Sequence, residues 1–173
     1  MKKLILISIL TLSTHLTVFA QTKNYIYHGA QKYESTQTWK FDINGTAWDS
    51  YLEVTIGKDG GKGIIMLQTG VTPDSYIGGP IYLFLSDGSK ITCTDKNIKD
   101  NVDNKSVVIY KVTAEEVIRL KENYITSIRF TIQPSSHGGF NGNKTVDNKV
   151  MYSYGSKKSY YETDVAVTEL FSY

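Results

Sequence analysis

Period-two alternation of apolar and polar residues runs through most of the chain. Trp39, Phe41 and Ile43 alternate with Thr38, Lys40 and Asp42, a pattern that puts one strand face in a core and the other in water. Leu52, Val54 and Ile56 repeat it against Tyr51, Glu53 and Thr55, and Lys58-Asp59-Gly60-Gly61-Lys62 then reverses the chain tightly. Ile64 to Leu67 and Ile81 to Leu85 are apolar at every position, the mark of strands covered on both sides. Ser86-Asp87-Gly88-Ser89 predicts a hairpin into Lys90–Thr94, because Asp-Gly accepts the backbone angles of a tight turn. Asn44-Gly45 is a further turn signal.

One segment departs from this period. Thr113 and Glu116 form a capping box, in which hydroxyl and carboxylate each satisfy an orphan backbone N–H, and Val112 and Val117 form a hydrophobic staple across it. Val117, Leu120 and Tyr124 share one face, while Glu115 and Arg119 are spaced to pair at i,i+4 on the other. The helix spans about residues 114–123, with Asn123 as a left-handed stop. Strands at Val107–Val112 and Ile125–Ile132 bracket it, the second with Ile128, Phe130 and Ile132 on one side and Arg129 on the other. Gly70–Pro80 and Gln133–Lys149 read as loops, the latter the longest irregular segment. Val165, Val167 and Phe171 read as a final strand. These elements predict a mainly β chain, an antiparallel β-sandwich (jelly-roll-like or immunoglobulin-like) with one short helix closing an end. The helix's two flanking strands are free to lie in different sheets.

The N-terminus changes the setting. Lys2 and Lys3 precede an apolar stretch from Leu4 to Phe19, and Val18-Phe19-Ala20 offers the small residues a signal peptidase reads,. Residues 1–20 are therefore expected to be a signal peptide. Residues 21–173 follow as a single domain in the periplasm or outside the cell, without a membrane anchor. Loss of Lys2 and Lys3 takes the 19 basic residues to 17, equal to the 17 acidic ones. With Arg119 and Arg129 the only arginines and no basic stripe, nucleic acid is a poor partner. Cys93, the single cysteine, shares one side of a strand with Ile91 and is expected to be a small buried hydrophobe. The 13 tyrosines, dense at Tyr152, Tyr154, Tyr160 and Tyr161, suit half-buried sheet faces first and binding surfaces second.

Three segments, Leu85-Ser86-Asp87-Gly88-Ser89-Lys90-Ile91, Tyr110 to Val117 and Ile125 to Phe130, resemble small exported proteins of Bacteroidetes-like bacteria. The resemblance covers about residues 81–132. It implies an exported setting and carries no activity or site residue with it.

Candidate chemistry is sparse. His28 and His137 are isolated in sequence, so no metal or other cofactor is indicated. Asp95, Asn97, Asp100 and Asp103 make an oxygen-rich segment, but it lacks the glycine and closing glutamate of an EF-hand and reads as a solvated turn. There is no Gly-x-Ser-x-Gly elbow, and His137 beside Ser135 and Ser136 is not triad geometry. Glu53 with Glu162 or Glu169 could face one cleft in a glycosidase only at a defined separation. Binding has better material: Trp48 and Tyr51 near a turn, and His137 and Phe140 in the long loop, are aromatic groups able to stack on a sugar or anchor a protein. The expectation is a non-catalytic exported protein recognising a carbohydrate or protein partner through its loops. An inhibitor or immunity-type protein and a small hydrolase are the alternatives.

Overall fold

The computed structural model describes residues 23–43, 51–72, 74–135, 141–150 and 160–172. The strands are β1 (Asn24–His28), β2 (Gln31–Ser35), β3 (Trp39–Asp42), β4 (Tyr51–Asp59), β5 (Lys62–Gly70), β6 (Ser75–Leu85), β7 (Lys90–Cys93), β8 (Lys99–Val102), β9 (Lys105–Val112), β10 (Ile125–Pro134) and β11 (Gly142–Val150). Two helices, α1 (Ala114–Glu122) and α2 (Thr163–Leu170), complete the described elements. Neither is long and apolar enough to cross a membrane. The signal peptide expected at residues 1–20 and the Asn44-Gly45 turn lie outside the described residues.

Every pairing is antiparallel, and the main path runs β7-β6-β10-β11-β3-β4-β5-β9-β8. The sheet is open, but it curls until β6 and β9 meet. There the closure is made by side chains. Ile77 N donates to Ser106 Oγ at 2.8 Å, and Tyr110 Oη donates to the Gly79 carbonyl at 2.9 Å. The curl turns one face inward, where Trp39, Phe41, Leu52, Val54, Leu67, Leu83, Tyr110, Phe130 and Val146 are all buried. The chain forms the expected mainly β, antiparallel, sandwich-like body, and the helix expected at about 114–123 is α1, Ala114–Glu122. The strands flanking α1, β9 and β10, belong to the same sheet.

Beta5 is covered on both sides, as its continuous apolar run requires. Its inner residues Ile65 and Leu67 join the main core. Outside, the β1–β2 hairpin folds over it, and Ile26, Ile64 and Ile109 form a second small cluster with Tyr33, Met66 and Ile98 at its margin. Gly57 on β4 makes room for this layer: a Cβ there would lie 2.8 Å from Ile64 Cγ1 and 3.1 Å from Ile26 Cδ1. The hairpin's backbone joins the sheet through Ser35 opposite Gly57, extended by Thr36 N to the Ile56 carbonyl at 2.8 Å.

The capping box of α1 is present in full, with Glu116 N to Thr113 Oγ1 at 3.2 Å and Thr113 N to Glu116 Oε2 at 2.8 Å. Asn123 ends the helix in extended backbone rather than as a left-handed stop. Its side-chain Nδ2 and its N–H both donate to the Arg119 carbonyl. The expected final strand at 165–171 is instead α2. Thr163, Val167 and Leu170 are its buried face, spaced i, i+4, i+7 as a helix requires. The two expected loops are also partly strand. Ser75–Pro80 extends β6, and residues 142–150 are β11. In β11 the inward positions are Val146 and Asn148, and the Asn148 side chain binds Ile125 O, Tyr161 O and Tyr161 N at 2.7–2.8 Å.

Candidate functional site

On β6, Ile81, Leu83 and Leu85 enter the core, so Tyr82 and Phe84 must face outward,. The registers then place Lys90 of β7 opposite Phe84 and Arg129 of β10 opposite Tyr82. Each cation reaches diagonally across β6 to the other ring. Lys90 Nζ lies 4.8 Å from the Tyr82 centroid, and the Arg129 guanidinium carbon lies 5.6 Å from that of Phe84. Exposed pairs of this kind contribute about 0.5–1 kcal/mol each. Their larger effect is to hold two long side chains along half-buried rings with the charged ends outward.

These four side chains, with Pro80, Thr131 and Asn143, line an open groove of about 400 Å³ on the outer face of the sheet. Thr131 Oγ1 donates to Asn143 Oδ1 at 2.8 Å, leaving the amide nitrogen as the group Asn143 can offer. Arg129 Nε donates to Thr145 Oγ1 at 3.4 Å. Among the described residues, neither Lys90 nor Arg129 enters an ion pair, and no carboxylate lines the groove.

Pro80 lines the groove at the end of Gly78-Gly79-Pro80, where the β6–β10 register slips between Arg129 and Thr131. A Cβ at Gly78 would come within 2.5 Å of Gln133 Oε1. Gly79 has φ +75°, which suits glycine. Its N–H donates to Asp95 Oδ2 at 2.9 Å while its carbonyl takes the Tyr110 hydroxyl. Pro80 brings no N–H to a stretch where the ladder is already broken.

Of the residues expected at the site, Trp48, His137 and Phe140 lie outside the described residues. Tyr51 is half-buried on β4, with Lys40 Nζ 4.4 Å over its ring. Beta3 lies between its strand and β11, the nearest of the groove strands. Glu53 pairs with Lys105, Nζ to Oε1 3.5 Å, rather than with a second carboxylate. Glu162 and Glu169 lie at the start and within the last turn of α2. Asp95 spends its two oxygens on Gly79 N and on Asn97 N at 2.6 Å, and Asp103-Asn104 form the β8–β9 turn with φ of 50° and 61°. No three metal-ligating side chains gather among the described residues. Cys93 is buried, and burial, aided by the charge of Glu116, pushes its thiol up to about 12, far from a reactive thiolate,.

The groove residues escaped the pattern because Tyr82 and Phe84 look like the second face of a buried strand. The signal that separates the two cases is cross-strand: a cation stands opposite each ring, and a fully buried face would not admit Lys90 and Arg129. Comparison of the chain with protein-family models, with curated proteins and with solved structures finds no match.

Proposed function

We propose that the protein is an exported, non-catalytic binding protein that holds a carbohydrate chain across the outer face of β7, β6, β10 and β11. The observation that carries this reading is the groove itself. It combines two half-buried aromatic rings with a hydroxyl, an amide and two cations, the mix of apolar surface and few oriented polar groups that small-ligand sites use. The contact surface is thus strand-borne rather than loop-borne. A hydrolytic role has less support, since Glu53 is held by Lys105 and, among the described residues, no carboxylate lines the groove.

A peptide adding itself as a strand is poorly served here. Beta6 at Tyr82 and Phe84 and β10 at Arg129 and Thr131 are paired along both edges, so little free backbone is offered to it at the centre of the groove. A protein partner gains support elsewhere, from Tyr25 and Tyr27 on β1, which are 37% and 67% exposed. Aromatic residues of this kind anchor interfaces.

Affinity electrophoresis in gels containing different polysaccharides tests the proposal. Residues 21–173 should be retarded by at least one, and Tyr82→Ala and Phe84→Ala should each abolish retardation while leaving the circular dichroism unchanged. Retardation that survives both substitutions would place binding elsewhere.

A further inference from the structure

We infer that the ligand of this groove is an acidic carbohydrate, one carrying uronate carboxylates, read by Lys90 and Arg129; this rests on the carbohydrate-binding reading above. The chain from residue 21 onward is balanced in charge, so a cation pair without acidic company is a local feature and not a general excess. Lys90 and Arg129 enter from β7 and β10, the two neighbours of β6. Two strand spacings of ~4.8 Å put their backbones ~10 Å apart, so the cations flank the rings from both sides. Each is held over a ring, so less side-chain freedom remains to be lost on binding.

The neighbouring groups fit the same ligand. Thr131 and the Asn143 amide supply hydroxyl-directed hydrogen bonds beside the cations. The planar guanidinium of Arg129 matches the two oxygens of a carboxylate. Its Nε is engaged by Thr145, which leaves the terminal nitrogens for the ligand. A neutral sugar would use the rings and polar groups but leave both cations without an anion.

The experiment is calorimetry on residues 21–173 with oligogalacturonate, with the same oligosaccharide after carboxyl reduction, with a sulfated oligosaccharide of equal length, and with a poly-glutamate peptide. Oligogalacturonate should bind at least tenfold more tightly than its reduced form and weaken as salt is raised, since both cations are exposed. Lys90→Gln and Arg129→Gln should each lose at least fivefold in affinity for it and leave the reduced sugar unaffected. Lys40→Gln, which removes an equivalent cation from Tyr51 outside the groove, should change nothing. Equal binding of the acidic and reduced sugars would overturn the inference while carbohydrate binding stands. Preference for the sulfated sugar would overturn the choice of carboxylate. Binding of the peptide alone, with no sugar bound, would overturn both.

Discussion

Ser106 and Tyr110 do at the β6–β9 seam what a paired strand does elsewhere in the sheet. Both are fully buried. Each satisfies one backbone group on a stretch of β6 that β7 is too short to reach. Ser106→Ala leaves the Ile77 N–H without its acceptor, and Tyr110→Phe leaves the Gly79 carbonyl without its donor. A buried group stranded in this way costs about 1–3 kcal/mol, so each variant should show a urea midpoint lowered to match, with an unchanged denaturant slope. Burial also pushes the pKa of the Tyr110 hydroxyl upward and that of Cys93 from 9.0 up to about 12. Both groups stay protonated in the folded chain, whereas unfolding frees the thiol to ionise above 9.0. The stabilising share is therefore intact below pH 9.0 and is lost as pH climbs toward about 12,. Urea midpoints at pH 7 and pH 8 should agree and that at pH 10.5 should fall, with a shallower fall in Cys93→Ala. A midpoint flat to pH 10.5 would contradict the burial of both groups.

The two helices are stabilised by different means, and the difference decides which substitution hurts. Alpha1 has its own cap, so Thr113→Ala should cost about 1 kcal/mol. Alpha2 has no side-chain cap. Its start is fixed from outside, by Ile125 N donating to Thr163 Oγ1 at 2.8 Å and by Asn148 binding the backbone of Tyr161 on both sides. Asn148→Ala strands a buried carbonyl at Ile125 and two part-buried backbone groups at Tyr161, and should cost at least about 2 kcal/mol. It should also disturb the Tyr161 ring stacked 6.0 Å from Phe41. Paired urea titrations check the order; a milder effect at Asn148 than at Thr113 would overturn it.

Local chemistry explains what could be seen from residues alone. Thr113 and Glu116, the Asp-Gly hairpin and the alternation of β3 and β4 each carry their instructions within a few positions. Alpha2 was hidden because Thr163, Val165, Val167 and Thr168 are β-branched and suit strands. Only the spacing of Thr163, Val167 and Leu170 betrays the helix. Beta11 was hidden because its inward position Asn148 is polar, and its reason for being inside lies at Ile125 and Tyr161. The start of β6 looked like a loop because Gly78 and Gly79 are there for close contacts with Gln133, Asp95 and Tyr110. The groove follows the same logic: Tyr82 becomes a surface residue only once Lys90 and Arg129 are seen beside it.

At the scale of the whole molecule, stability should be distributed in layers. Beta5 is paired along both edges, to β4 over Glu53–Asp59 and to β9 over Gly63–Gly70, and its inner face lies in the main core. The β1–β2 hairpin has a weaker hold. One bridge at Ser35–Gly57, the Thr36–Ile56 bonds and the small cluster of Ile26, Ile64 and Ile109 attach it. Opening it would expose that cluster and leave the nine-strand path intact. Segments with few buried apolar contacts open below the global free energy. Amides of the β1–β2 pair should therefore exchange hydrogen through a local opening insensitive to low denaturant, while those of Ile65, Leu67 and Tyr110 should require global unfolding. Ile26→Ala removes the hairpin's only buried hydrophobe from the cluster, and should speed exchange across β1 and β2 far more than across β4 or β9. If the hairpin amides instead share the exchange free energy of β5 and lose protection together with it, the outer layer is part of one cooperative unit, and Ile26 contributes to the stability of the whole sheet.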